Sequence, residues 1–457
     1  MQSAGISLYV DEAQYWVWAQ ALAWGYFSKP PGIAALIAVS THLFGDGLLG
    51  VKALSMLCYP LAAAFLWASA RRLYDRNIAD WAALTILTLP IFAWLGLFAS
   101  TDALLTLFWC AALWAYQRAL DQPKTTRWLF LGLICGLGLL AKYTMLACLV
   151  GALVHLLCLQ RPLLASRGPW LALLVAVALL SPNIAWNIAH NFPTLRHTAD
   201  ITLQRPGGGG LALFEFLAAQ LLALGPVLGG LAVFALRQPR ALWRHPANQL
   251  LLCFSLPLLI LVAVQAWRSG ANANWAAPAL APVTLLVVAQ LLRSRRQAWL
   301  TAAIAVNLLL TALIYHAPTL LTAVDRPDRG KLNPYVRAQG WTPLAEQLRP
   351  LLLAHPQAVL LADNRTVLSH LAYELRTLRP TLAAWNPDGG AGDHYKLQHD
   401  LATLPGRDAV LISEQPPTAA LRQRFTSSTP LGRISSHIDD QHQRIYEVHL
   451  LHAFQGY

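Results

Sequence analysis

Long apolar runs set the rhythm of this chain. A helix needs about 20 mostly apolar residues to cross a bilayer core. Runs near that length recur at 50–69, 79–99, 103–119, 128–141, 143–160, 169–187, 211–236, 248–267, 276–292 and 298–316, the fourth being short. The run "IAALIAVSTHLF" at 33–44 is too short to span and predicts a helix lying in the interface. Residues 12–23 predict another, because Tyr15, Trp16, Trp18 and Trp24 suit the headgroup zone. From about 317 the pattern changes. "AVLLAD" (358–363), "AVLISE" (409–414) and "RIYEVHLL" (444–451) read as strands, "WTPLAEQLRPLLLA" and "RTVLSHLAYELR" as helices. The pattern thus predicts a membrane all-α bundle of about ten transmembrane helices plus interfacial helices over 1–316, with 1–49 as its first outer loop. A small soluble α/β domain follows over 317–457. No internal repeat stands out, and "RPGGGG" at 205–210 reads as a flexible outer loop, since no strand precedes it to make a phosphate cradle.

Composition sharpens the division. Charged residues make up 12% of the chain, against roughly a quarter in soluble domains, and the mean hydropathy is +0.44. Of the 22 acids only nine precede residue 317; the other 13 share the tail with 14 Lys and Arg. The net charge of +12 therefore comes almost wholly from the membrane part. Alternate loops, starting with "ARRLYDR", collect 14 Lys and Arg on one side and leave six on the other. Such a bias marks the cytoplasmic side, puts the opening segment and the tail outside the cytoplasm, and makes these charges orientation signals rather than a nucleic-acid surface. The six cysteines all fall in apolar runs without metal-ligand or disulfide spacing and read as small core residues.

That orientation gathers Asp11, Glu12, Lys29, Asp102, Lys142, Asn183, Asn187, His190, His197, Asp200, Arg268, Asn272 and Asn274 on the outer side. Ionisable groups at membrane depth are costly and tend to line sites. Asp102, in "FASTDALLTLFW", reads either as a helix N-cap or as a site acid. Asp11 with Gln14 fits a capping box, but a cap requires neither Glu12 nor the lysine of "YFSKPPG". Glu12 fits a first-turn acid favoured by the helix dipole. Lys29 is held stiffly by Pro30 and Pro31, and Lys142 and Arg268 end apolar runs; all three suit either a phosphate or a snorkelling stem. Carboxylates can take a proton from an attacking hydroxyl, cations can stabilise a departing phosphate, and aromatics can stack on a sugar or lipid. Together they suit glycosyl transfer from a lipid-phosphate donor at the outer membrane face. The rival class is a transporter or flippase of a lipid-linked sugar, although these charges cluster at one rim rather than at the midplane.

The stretch "YVDEAQYWVWAQ…GYFSKPPGIA…LFGD" resembles the first outer loop of the polytopic GT-C glycosyltransferases. The similar groups are the dolichyl-phosphate-mannose protein mannosyltransferase-like enzymes, the lipid A aminoarabinose transferase and the rhizobial lipopolysaccharide galacturonosyltransferases. "STDALLTLFW", "LLAKYT", "SPNIAWNIAHNFPTLRHTAD", "ANANWAAPAL" and "NPYVRAQGW" resemble further blocks, so the likeness covers nearly the whole chain. The resemblance implies an integral bacterial inner-membrane enzyme with a periplasmic C-terminal domain. It would transfer sugar from a polyprenyl-phosphate donor to a lipid A-like glycolipid or a polysaccharide, with membrane lipids as surroundings and no nucleic acid. It makes Asp11 and Asp102 the catalytic acids and Lys29 a contact of the donor phosphate; Lys142 and Arg268, from their places at the ends of apolar runs, are read as joining it. Glu12, Tyr15, Tyr26, Asn187, His190 and His197 are the substrate-side candidates. Where the aminoarabinose transferase has a metal-site glutamate this chain has Ser28. No cofactor is assigned, and a divalent metal held by His190, His197 and Asp200 stays open. The family usually has a spanning helix before the acid motif, and none precedes Asp11 in this sequence.

Overall fold

A computed structural model describes residues 5–203, 207–235, 237, 239–323 and 329–457. Arg205 and Pro206, which open the expected flexible loop, lie outside the described residues. The chain divides into two compact units. One comprises the described part of Met1–Leu22, with Tyr26–Ser28 and Tyr315–Tyr457; the other comprises Ala23–Gly25 and Lys29–Ile314.

The Lys29–Ile314 unit is helical. Among the described residues five helices are long and apolar enough to cross a membrane: Leu48–Leu73, Arg167–Ala189, Pro246–Ser269, Ala273–Arg293 and Gln297–Tyr315. A sixth arises if Gly210–Leu224 and Pro226–Ala235, bent by 112°, are one span. The bend has a local cause. Gly225 sits at φ +90, and a Cβ there would lie 1.8 Å from Asn307 Oδ1; Pro226 then starts the next helix, where its missing N–H is no loss. The other apolar runs are helices that are shorter or more polar: Thr101–Asp121, Thr125–Ala141 and Met145–Leu159.

The run 79–99, expected as one span, is instead two helices, Arg76–Leu87 and Pro90–Leu95. The first is capped by the Asp75 carboxylate, which accepts from the Ile78 N–H at 2.8 Å. The second begins at Pro90, which has no amide proton to continue the first. The 33–44 run forms Gly32–Phe44, as its length implied. The 125–141 and 167–189 helices approach closely: a Cβ on Gly132 would sit 2.4 Å from the Ala172 carbonyl. Small residues permit such contacts where helix association has little hydrophobic drive. Leu57, Leu61, Leu174, Leu217, Ile260 and Leu309 stand exposed, as side chains facing lipid would. Five of the six cysteines are buried as expected; Cys158 is exposed.

The other unit is built on a five-stranded sheet. Its elements are α1 (Val10–Gln20), α2 (Trp341–Ala354), β1 (Val359–Ala362), α3 (Arg365–Glu374), β2 (Leu382–Ala384), β3 (Ala409–Ser413), β4 (Phe425–His437) and β5 (Gln443–Phe454). Strand order is β2-β1-β3-β5-β4. β1 pairs parallel with β2 and β3, and β5 pairs antiparallel with β3 and β4. One face carries Trp341, Leu344, Leu348, Val367, Leu371 and Ile412, with Val17 of α1 packed against it. The other carries Leu361, Leu411, Leu421, Phe425 and Phe454.

The opening segment therefore folds with the tail. Ser7 N–H donates to the Ala338 carbonyl at 2.8 Å, Ile6 bridges to Gln339, and Trp16 meets Tyr373 edge-on at 5.4 Å. This corrects the reading of residues 12–23 as a headgroup helix. Tyr15, Trp16 and Trp18 are buried, and only Trp24 of the four aromatics is exposed.

This unit holds neutral histidines in its interior. His370 is stacked on Trp341 at 4.0 Å, and burial, helped by the Arg444 charge, holds it well below the ordinary imidazole range. His394 lies edge-on to Trp18 at 5.3 Å; burial, then His399, pushes it down to about 3. Because both folded-state values are depressed, the unfolded chain takes up these protons first as pH falls through about 6.5, and native stability drops. For His394 the loss runs from about pH 6.5 to about 3, at about 1.4 kcal/mol per pH unit. Thermal unfolding followed by tyrosine and tryptophan fluorescence should show a lower Tm at pH 5.5 than at 7.5. His394→Gln should flatten that difference; an unchanged slope would refute the assignment.

Candidate active site

Asp102 owes its place to a cap that is not its own. Ser100 is the N-cap of the 101–121 helix, its hydroxyl accepting from the Ala103 N–H at 3.3 Å. The Asp102 carboxylate is thereby free for tertiary contacts; it is not the cap. Oδ1 accepts from Lys142 Nζ at 2.6 Å and Oδ2 accepts from Asn274 Nδ2 at 2.9 Å. The side chains of Asp102 and Lys142 are 6% and 16% exposed. Each charge is also favoured by its helix: Asp102 is in the first turn of its helix, and Lys142 is the C-cap residue of the 125–141 helix. Asn274 comes from a separate 3₁₀ segment, Ala273–Ala279, anchored by the Gln220 Nε2 bond to the Ala273 carbonyl at 3.0 Å.

Tyr143, next to Lys142, begins a second polar chain. Its hydroxyl donates to Asn183 Oδ1 at 2.5 Å. Asn183 Nδ2 reaches the Trp24 carbonyl at 2.6 Å, and Asn187 Nδ2 donates to the Tyr143 hydroxyl at 3.2 Å. Asn183 and Asn187 are four apart on one helix, so they present the same face. His190 is stacked on Trp186 at 4.2 Å and is exposed. His197 is partly exposed and Asp200 exposed. Among the described residues no group of three or more His, Cys, Asp or Glu lies together as a metal would need, so His190, His197 and Asp200 form no such set. Lys29 is half-buried ahead of the 32–44 helix, and Arg268 is exposed in the last turn of the 256–269 helix.

In the tail-containing unit, Asp11 faces Arg365. Both Nη1 and Nη2 lie 3.3 Å from Asp11 Oδ1, and Nη1 also donates to Gln14 Oε1 at 2.6 Å. The capping box falls two residues earlier than expected: Glu12, not Gln14, accepts from the Tyr9 N–H, at 2.8 Å. Glu12 is buried rather than solvated. Tyr26 is stacked on Trp18 at 4.5 Å and donates to the Trp18 carbonyl at 3.1 Å. Tyr15 packs 5.0 Å from Trp18. These three side chains are engaged by their own fold.

Sequence reasoning passed over two cations. Arg365 occupies the first turn of α3, where a positive charge opposes the helix dipole; that local misfit was the available signal. Lys52, a charge within an apolar run, is buried and its Nζ donates to the Leu97 carbonyl at 2.8 Å.

Comparison with known proteins agrees with the geometry. Residues 28–186 match the dolichyl-phosphate-mannose-protein mannosyltransferase family model. The lipid A galacturonosyltransferase RgtD of Rhizobium johnstonii is 31% identical over 402 residues, covering 87% of this chain and 84% of that protein. An undecaprenyl phosphate-alpha-4-amino-4-deoxy-L-arabinose arabinosyl transferase of Erwinia tasmaniensis is 32% identical over 190 residues, 40% of this chain and 34% of that protein. The fold matches that of ArnT from Cupriavidus metallidurans. The apo form gives a TM-score of 0.68 at 14% identity over 98% of this chain and 94% of the other. The form bound to undecaprenyl phosphate gives 0.65 at 15% identity over 98% and 95%. Together with the apolar helices and small sheet, these matches define a polytopic membrane glycosyltransferase. The chain belongs to the GT-C glycosyltransferase family.

Proposed function

We propose that this enzyme moves a sugar from a polyprenyl-phosphate donor to a lipid A-type glycolipid or a polysaccharide, on the periplasmic face of a bacterial inner membrane. The observation that carries the reading is the match along most of its length to a lipid A galacturonosyltransferase. On this reading the ten apolar runs cross the membrane, 79–99 and 211–236 as broken spans, the basic loops stay cytoplasmic, and the tail is periplasmic. The domain boundary falls near 316.

The roles follow from the chemistry of each side chain. Asp11 takes the proton of the acceptor hydroxyl, whose oxygen attacks the anomeric carbon as the bond to the phosphate oxygen breaks. The polyprenyl phosphate leaves as an anion, its charge received by Lys29 and Arg268. Lys142 neutralises Asp102, and the pair with Asn274 orients the acceptor or meets the oxocarbenium-like charge. Asn187, His190 and His197 serve the sugar. Glu12, Tyr15 and Tyr26 shape the opening segment instead of touching substrate.

Purified full-length protein, given radiolabelled undecaprenyl-phosphate galacturonic acid and lipid A, should yield labelled lipid A and free undecaprenyl phosphate in equal amounts. The aminoarabinose-linked donor tests the choice of sugar. Passage of the intact carrier across vesicles without sugar transfer would overturn the reading in favour of a flippase.

A further inference from the structure

Arg365 is placed where stability gives it little reason to be. Asp11 and Arg365 are 55% and 41% exposed, and exposed pairs contribute about 0–1 kcal/mol. Its charge also opposes the dipole at the start of α3. Even so, the turn that carries it is fixed from the core. The Ser369 hydroxyl donates to the Arg365 carbonyl at 2.7 Å, and the buried Tyr395 hydroxyl donates to Ser369 Oγ at 2.9 Å. Asn364 caps the same turn by accepting from the Thr366 N–H at 2.8 Å. On the facing helix, Gln14 holds the guanidinium from one turn below Asp11. The fork is therefore held on both sides, and both of its nitrogens point at one carboxylate oxygen, Oδ1. Among the described residues no donor reaches Oδ2.

We propose that Arg365, contributed by the tail, is a positioning residue for the transfer reaction. It holds Asp11 by Oδ1 and leaves Oδ2 for the acceptor hydroxyl. The proposal rests on Asp11 being the base. In the step it serves, the hydroxyl proton passes to Oδ2, the acceptor oxygen forms the new bond to the anomeric carbon, and the bond from that carbon to the phosphate oxygen breaks. A carboxylate free to turn about its side-chain torsions would meet the hydroxyl less often in the productive orientation, and misplacement of about 1 Å can cost about 100-fold in rate. The tail then takes part in catalysis through this contact.

The test uses full-length protein in the transfer assay above. Arg365→Gln should lower kcat about 10- to 100-fold with the donor KM unchanged. Arg365→Lys should recover part of the rate, and millimolar guanidinium should partly restore Arg365→Ala; loss of fold would not be rescued this way. Combining Arg365→Gln with Asp11→Asn should add no further loss, as expected of groups acting as a unit. Full kcat in Arg365→Gln beside an inactive Asp11→Asn overturns the positioning role and leaves the base assignment intact. A raised donor KM at unchanged kcat would make Arg365 a substrate contact and equally overturn it. Full activity in Asp11→Asn removes the reading on which the proposal stands.

Discussion

Asp102→Ala is expected to abolish transfer and to lower stability by about 3–5 kcal/mol, the usual effect of removing one partner of a buried ion pair. The penalty arises because Lys142, only 16% exposed, is left with an uncompensated charge, and Asn274 loses its acceptor. A companion variant separates stability from chemistry. Asp102→Leu combined with Lys142→Met removes both charges and should regain much of the lost stability, since apolar replacement of a buried pair is often neutral or better. It should remain inactive. Thermal unfolding in detergent, read beside the transfer assay, makes the comparison. Unchanged stability in Asp102→Ala would mean the pair is not closed to water, and activity in the double variant would remove Asp102 from the mechanism.

Asp11→Asn should lose activity without losing stability. Transfer is expected to fall by about 10²–10⁴, the range for losing a general base. Its side chain is 55% exposed and its partner is a surface arginine, so the unfolding temperature should scarcely move. Two acids of one chain would then separate cleanly, one built into the interior and one poised at a surface. A large fall in Tm for Asp11→Asn would assign it a structural role in the α1–α3 contact.

The sequence exposed some of this readily and some not at all. Helices formed where apolar runs approached spanning length, because burial and lipid both reward the same pattern. Breaks at Pro90 and Gly225 depend on single residues inside otherwise continuous runs, so 79–99 and 211–236 read as unbroken. In the tail, β1, β3 and β5 were legible from their apolar runs. β4 was not: "FTSSTPLGRISSH" is mostly exposed, and β2 has only three residues. Asp102 and Lys142 were recognised as misplaced charges, but their pairing spans 40 residues of chain, and no local pattern encodes such a meeting. The aromatics of the opening segment misled because Trp and Tyr suit a membrane interface and a protein core alike. Only the packing of α1 against the tail decides between them.

That packing also sets a timetable for synthesis. Asp11 and Arg365 are 354 residues apart in the chain, so at about 5–20 residues per second the partner helix emerges roughly 20–70 s after the acid does. β5, which lies between β3 and β4, comes later still. Through that interval Trp16 lacks Tyr373 and Trp18 lacks His394, and the helical unit is made before the sheet can close. Asp11 is among the first side chains to be translated and among the last to be seated, and an early stop ahead of α3 would leave it without the arginine it meets.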